Sequence, residues 1–190
     1  MKISFQKENI INLSIRLEMG DPLYQKCEYA DLTINLDKWR FSAHTDIGDF
    51  SYRWMVELSE QYHDFLDYLI KLKNAKGYLL SKISNKTEFS LSKTKDILFD
   101  LYEDEMDPEQ KEWVKNVRAY SGSEFETVMK ESGLFDDWRD LWEFPQYDYP
   151  QNAKNFVELF SAVIADVLTD YKKSMENVRE NDKEEENELI

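Results

Sequence analysis

The stretch WRFSAHTDIGDFSYRW, residues 39–54, decides the fold because it has the pattern of two short strands around a tight turn. Successive side chains in a strand point to opposite faces of the sheet, so alternation separates apolar from polar residues. The segment Asp46–Asp49 supplies the turn. We therefore predict a hairpin with an apolar face of Trp39, Phe41, Ala43, Thr45, Phe50, Tyr52 and Trp54, and a polar face of Arg40, Ser42, His44, Asp46, Asp49, Ser51 and Arg53.

Two segments before the hairpin have the same period of two. IINLSIRLE at 10–18 and ADLTINLD at 30–37 alternate Ile and Leu with polar residues, and the loop between them contains Gly-Asp-Pro. Short connections between such strands favour antiparallel pairing. We predict an antiparallel β-meander of four strands, or of five if KISF at 2–5 adds one.

The apolar period changes from two to that of a helix after Trp54. SEQYHDFLDYLIKL at 59–72 has one apolar stripe with Ser59 as a candidate N-cap, and Asp107-Pro108 predicts another helix start. Ser123 and Glu126 suggest a capping box for a further helix. The longest helix is predicted at 151–178. Because strands precede helices without alternating, the class is α+β: an N-terminal antiparallel meander and a helical C-terminal region with one long terminal helix.

The predicted elements divide the chain into three segments. Residues 1–84 are expected to form the sheet with a packing helix, and residues 85–178 an acidic helical region, the two making one continuous fold. Residues 179–190 are mostly charged, so we expect a disordered acidic tail.

The charge balance excludes some partners. With 39 acidic and 24 basic residues the net charge is −15, which disfavours direct binding to nucleic acid. Cys27 is the single cysteine, so no intrachain disulfide can form. No stretch approaches the ~18 apolar residues of a membrane span. These features lead us to expect a soluble protein of a reducing cytoplasm with no membrane association.

The sequence has few motifs of enzyme chemistry. Glycine-rich phosphate loops and the GxSxG nucleophile elbow are absent from it. His44, Asp46 and Asp49 suggest a weak site for a divalent ion, and a metal-dependent hydrolase is the corresponding alternative function. A solvated sheet face with a salt bridge to Arg40 or Arg53 explains the same residues, so we expect no metal and no cofactor.

The acidic charge is concentrated between Asp96 and Asp148, where sixteen acidic and five basic residues accompany three tryptophans and three tyrosines, and Tyr149 follows directly. In one interpretation the rings are core and the acids are the wet side of small amphipathic helices. In the other the acids and rings form a surface for a basic protein. The residues predicted to bind that partner are Glu103, Asp104, Glu105, Asp136, Asp137, Trp138, Asp140, Trp142 and Glu143.

Residues 32–84 resemble a group of small proteins encoded by phages and prophages. The resemblance is carried by Thr45-Asp46, Gly48, the run Phe50–Trp54, Phe65-Leu66 with Leu69, and the run Tyr78–Lys82. This chain differs in having Phe50 where the group has tryptophan, and its helical region from residue 90 lies outside the resemblance. The resemblance implies a phage-borne gene acting in a bacterial cytoplasm and assigns no residue a role.

Together these features favour a non-enzymatic phage-type protein that binds and inhibits a host protein. The expected partner is a basic nucleic-acid-handling or defence protein whose channel the acidic region occupies as a DNA mimic. Besides the hydrolase, a second alternative is a structural or assembly protein that self-associates through the helix at 151–178.

Overall fold

The computed structural model describes residues 8–55, 65–135 and 143–188, and the side chains of the terminal helix up to residue 177. A four-stranded antiparallel sheet is followed by helices, which confirms the predicted α+β class. The candidate strand KISF and the Ser59 cap lie outside the described residues. The chain divides into two compact units, residues 1–84 with 151–190, and residues 85–150.

The sheet of the first unit is a meander in chain order. Its strands are β1 (Ile10–Arg16), β2 (Tyr29–Asn35), β3 (Arg40–Thr45) and β4 (Gly48–Arg53), each antiparallel to the next. Phe41, Ala43 and Thr45 are buried, whereas Arg40 before them and His44 between Ala43 and Thr45 are exposed. The predicted faces of the hairpin are therefore confirmed.

The turn from β3 to β4 has only two residues outside the strands, Asp46 and Ile47. Gly48 follows with a φ of 136°, a conformation that costs little only for glycine. The Thr45 hydroxyl donates a hydrogen bond to the carbonyl of Gly48 over 2.6 Å, which closes the turn. Because the turn is this short, the register of the two strands is fixed.

Two short helices and one long one complete the first unit. They are α1 (Phe65–Lys71), which continues into a 3₁₀ turn (Leu72–Asn74), α2 (Lys76–Ile83), and a terminal helix made of α6 (Gln151–Leu159), a π-helical segment (Phe160–Ile164) and α7 (Ala165–Glu188). The apolar stripe of the terminal helix packs on the sheet: Phe156 stacks on Phe50 at a ring-centroid distance of 4.5 Å. The stripe is therefore part of this unit's own core.

The structure adds three features to the predicted terminal helix. The long helix is confirmed, but it belongs with the sheet rather than with the acidic region. Its π-helical segment holds Ser161, which is buried with an unpaired hydroxyl. Helical backbone also continues to Glu188. The sequence after Pro150 has neither glycine nor proline and is rich in Glu and Lys, which are good helix formers.

The second unit has its own core around three helices. These are α3 (Leu91–Tyr102), α4 (Pro108–Asn116) and α5 (Gly122–Glu131), and a short pair of strands, β5 (Glu88–Phe89) and β6 (Tyr147–Asp148), joins the two ends of the unit. Asp107 caps α4 in a complete capping box with Gln110, as its position before Pro108 predicts. Its core comprises Leu98, Met106, Val114, Ala119, Phe125, Met129, Phe135 and Phe144.

Candidate functional site

The predicted binding residues that the structure describes are all exposed. Glu103, Asp104 and Glu105 follow the last residue of α3, and Glu143 is the first described residue of the range 143–188. The carboxylates of Glu103, Asp104 and Glu105 have no ion-pair partner within the described ranges. Asp136, Asp137, Trp138, Asp140 and Trp142 lie outside the described residues and stay predictions.

These carboxylates lie at the C-terminal end of α3, where negative charge destabilises the helix. A helix C-terminus carries partial negative charge, so cations stabilise it by about 0.3–1 kcal/mol each and anions do the opposite. The last turn of α3 has no basic residue, and Asp100 precedes the acidic turn Glu103–Glu105. The acids at this end of α3 are therefore not explained by the stability of the helix.

An open groove of about 380 Å³ runs along α4 beside Leu134. The half-buried side chains of Trp113, Val117 and Leu134 provide its apolar surface. The Trp113 ring packs against the rings of Phe135 and Phe125, at ring-centroid distances of 5.2 Å and 6.1 Å. The groove is thus built on a ring that the unit's core already fixes in place.

Acidic and amide side chains edge this groove. Glu109, Glu112 and Asn116 line it and are exposed, and Asn116 donates its side-chain N–H to Glu112 over 2.6 Å. Their helical spacing places these three on one side of α4 with Trp113. The prediction from sequence missed this groove. The spacing could have shown the α4 side, but not that Leu134 from beyond α5 completes it.

On the polar face of the sheet, His44 and Asp46 have different hydrogen-bond partners. His44 Nδ1 lies 2.6 Å from Asp49 Oδ1, and both side chains are mostly exposed. The Asp46 carboxylate instead accepts hydrogen bonds from the backbone N–H groups of Glu28 at 2.9 Å and Tyr29 at 3.1 Å. Over the described part of the chain, no group of three His, Cys, Asp or Glu side chains is arranged to hold a metal ion.

Asp31 is the charged centre of this polar face. Its carboxylate accepts hydrogen bonds from the two terminal guanidinium nitrogens of Arg16, at 2.8 and 2.9 Å, and from the Ser14 hydroxyl. The hydrogen bond from Arg16 lowers the pKa of Asp31 to about 2, and Ser14 adds to the effect. Arg16 on this face is therefore compensated by a carboxylate that stays ionised at any physiological pH.

Comparisons with known proteins give a match at the level of a protein family. A model described as a phage family matches residues 1–170. No curated protein and no solved structure matches the chain. The matched span contains the sheet and all of residues 85–150, so it is wider than the segment 32–84 that carries the resemblance.

Of the helices in the described ranges, none is both long and apolar enough to span a bilayer.

Proposed function

The chain belongs to this phage protein family, and from that premise we propose that it is a non-enzymatic inhibitor of a host protein. The unit 85–150 is the binding module in this proposal. Its partner is a basic protein that handles nucleic acid or acts in defence, in the bacterial cytoplasm. Its carboxylates take the place of phosphates, as a DNA mimic.

The observation that carries the proposal is the exposed acidic turn Glu103–Glu105. Its carboxylates have no cation beside them in the described residues and stand where the dipole of α3 disfavours them. A solubilising surface needs no such placement, since acids elsewhere on the unit serve equally well. A basic partner would supply the missing cations, so the unfavourable charge would be relieved on binding.

The groove on α4 supports the same proposal. Interfaces gain most of their energy from a few buried aromatic anchors, while surrounding charges set the rate of association and the choice of partner. Trp113 with Val117 offers an apolar anchor, and Glu109 and Glu112 surround it with negative charge. A basic segment with an apolar side chain matches that combination.

The first test is affinity capture from a bacterial lysate at low and high salt, with the captured proteins identified. We expect a basic nucleic-acid-binding protein that is retained at low salt and released as screening increases. Capture that is equally strong at both salt concentrations would contradict the DNA-mimic proposal.

The second test reverses charge at the acidic turn. The triple variant Glu103→Lys, Asp104→Lys and Glu105→Lys should slow association with the captured partner at least tenfold, because steering depends on these charges. A matched control makes the same change in net charge at the exposed residues Glu18, Glu28 and Asp170 of the other unit. Equal association rates for the two triple variants would refute the assignment to residues 85–150.

The third test fills the groove. Asn116→Trp places a large ring among the groove residues, whereas Asn177→Trp makes the same change at an exposed position of α7. Loss of affinity in the first variant alone, at an unchanged melting temperature, is the expected result. If both variants bind like the parent, the groove is not part of the interface.

A further inference from the structure

We propose that Arg40 and Arg53, side by side on the polar face of the sheet, bind the phosphate group of a small phosphorylated compound. The two residues are directly opposite each other in the β3–β4 register, and both are exposed. This inference does not depend on the proposed function, since it concerns the other unit of the chain.

The pairing pattern brings the two arginine side chains close together where they leave the backbone. The backbone N–H of Trp54 donates to the carbonyl of Trp39 over 2.9 Å, so the pair 39/54 is hydrogen-bonded. Antiparallel pairs alternate, which makes Arg40/Arg53 a non-hydrogen-bonded pair. In such pairs the Cα atoms are about 4.5 Å apart and the side chains lie closer than in the neighbouring pairs.

The other cations of this face are already compensated. Arg16 is bound by Asp31, and His44 lies against Asp49. Lys38, at the same end of the sheet, is paired with Glu8. Arg40 and Arg53 differ from these three cations, because within the described residues no carboxylate lies at ion-pair distance from either arginine.

Glu8, a carboxylate at this end of the sheet, is also already paired. Asn35 is the neighbour of Arg40 on β2, and its side-chain N–H donates to Glu8 over 2.5 Å. Glu8 is the same carboxylate that pairs with Lys38, and this hydrogen bond lowers its pKa. Glu8 is thus held by two partners, and it forms no ion pair with Arg40 or Arg53.

Two like charges opposite each other destabilise a sheet, so the pair is unfavourable while it is empty. A phosphate dianion would cancel the charge and accept several hydrogen bonds, because each guanidinium offers its N–H donors in a planar fork that fits phosphate oxygens. Ser42 and Ser51 are opposite each other one step further along the same face. Their hydroxyls are available as further donors, since neither forms a hydrogen bond within the described ranges.

The net charge of the protein favours a small anionic ligand over a long one. A protein with a charge of −15 repels a long polyanion over about a Debye length, roughly 8 Å at physiological salt. A single phosphate group at the arginine pair avoids most of that repulsion. A small phosphate ester therefore suits the site better than a nucleic-acid strand.

The test is an NMR titration of the arginine side-chain N–H signals with sodium phosphate, against sodium chloride at matched ionic strength. We expect saturable shifts at Arg40 and Arg53 with phosphate only. Arg40→Gln and Arg53→Gln should each weaken phosphate binding at least tenfold, and Arg118→Gln, at an exposed arginine of the other unit, should not change it. Arg53→Lys keeps the charge but loses the planar fork, so it should bind more weakly than the parent.

Three results would overturn the proposal. Shifts that are equal with chloride would show screening rather than a site, and equal binding by the Gln variants and the parent would place the phosphate elsewhere. A third arm adds a 12-nucleotide single-stranded DNA, and tighter binding of this DNA than of phosphate would replace the small ligand with a nucleic acid. Melting temperatures with and without phosphate check that each variant is folded.

Discussion

Trp54 donates its indole N–H to the hydroxyl oxygen of Tyr78 over 3.1 Å. Trp54 ends the hairpin and is only 1 % exposed, whereas Tyr78 lies on α2 at the surface. Tyr68 donates to the same oxygen over 2.9 Å. Within the segment that resembles phage proteins, hydrogen bonds to the Tyr78 hydroxyl therefore link the end of β4 and helix α1 to helix α2.

The Tyr78→Phe variant should lose about 1–3 kcal/mol of unfolding free energy. Removing the hydroxyl leaves the buried N–H of Trp54 without an acceptor, and an unpaired buried donor costs its desolvation free energy. The matched control is Tyr52→Phe, whose hydroxyl has no hydrogen bond in the described part of the chain and which should change little. Urea unfolding measures both, and equal losses would contradict the role assigned to Tyr78.

Replacing Ser161 by alanine should leave the stability unchanged or raise it. The Ser161 hydroxyl is buried without a partner, so folding loses its hydrogen bonds to water and gains none. Thr94 is an informative contrast, because its buried hydroxyl donates to Ser90 and accepts from the Gln146 N–H. Thr94→Val should cost about 1–3 kcal/mol. A Ser161→Ala loss of similar size in thermal unfolding would show that the serine has a partner.

The thiol of Cys27 should react with a disulfide reagent only when the first unit opens. Burial raises the pKa of Cys27 to about 12, and the hydrogen bond to Asp46 adds to the effect. At pH 8 the folded thiol is therefore neutral and inaccessible. Labelling rates should follow the unfolding equilibrium as urea is added, and fast labelling of the native protein would contradict this burial.

The raised pKa of Cys27 also has a consequence for stability at high pH. A group whose pKa is higher in the folded state contributes its full stability below its unfolded pKa, and this contribution falls as pH rises toward the folded value. The stability of the parent should therefore decrease between about pH 8.5 and pH 12 more steeply than that of Cys27→Ala. Denaturation curves across this range give the difference, and parallel pH dependences would contradict the shift.

The pKa of Asp31 depends mainly on Arg16. The Arg16→Gln variant should raise it from about 2 toward the ordinary value near 4, because the guanidinium hydrogen bonds that favour the carboxylate are lost. A lowered pKa stabilises the fold above the unfolded value and this contribution is lost as pH falls through the folded one. The effect of Arg16 on stability should therefore disappear between about pH 4 and pH 2, as measured by NMR titration of the carboxyl carbon with parallel melting curves. An unchanged pKa in the variant would exclude the assigned cause.

The hairpin could be predicted in detail because its period of two separates the faces without any tertiary information. The predicted capping box of Ser123 and Glu126 is wrong. Ser121 and Ser123 each have a glutamate three residues later, and the structure uses Ser121, whose hydroxyl accepts from the Glu124 N–H. The terminal helix shows a third case: its apolar stripe predicts burial, but a stripe does not reveal which distant surface it covers.

The candidate site was predictable only where one segment contains it. The exposed turn Glu103–Glu105 follows from local charge and helix length. The α4 groove needs Leu134 from beyond the next helix, and the pair Arg40/Arg53 needs the register of two strands. Asp46 binds a distant backbone segment instead of its near neighbour His44, which local spacing cannot show.

The first unit is built from two separate stretches of sequence, and this determines which unit can complete its core first during translation. Phe156 and Phe160 complete the core of the sheet, but the ribosome makes them only after the 66 residues of the second unit. At 5–20 residues per second, that interval is about 3–13 s. During it the nascent sheet exposes apolar residues that the terminal helix will later cover, while residues 85–150 already contain all of their own core. The acidic unit can therefore fold on the ribosome first, and the sheet matures last although it is translated earliest.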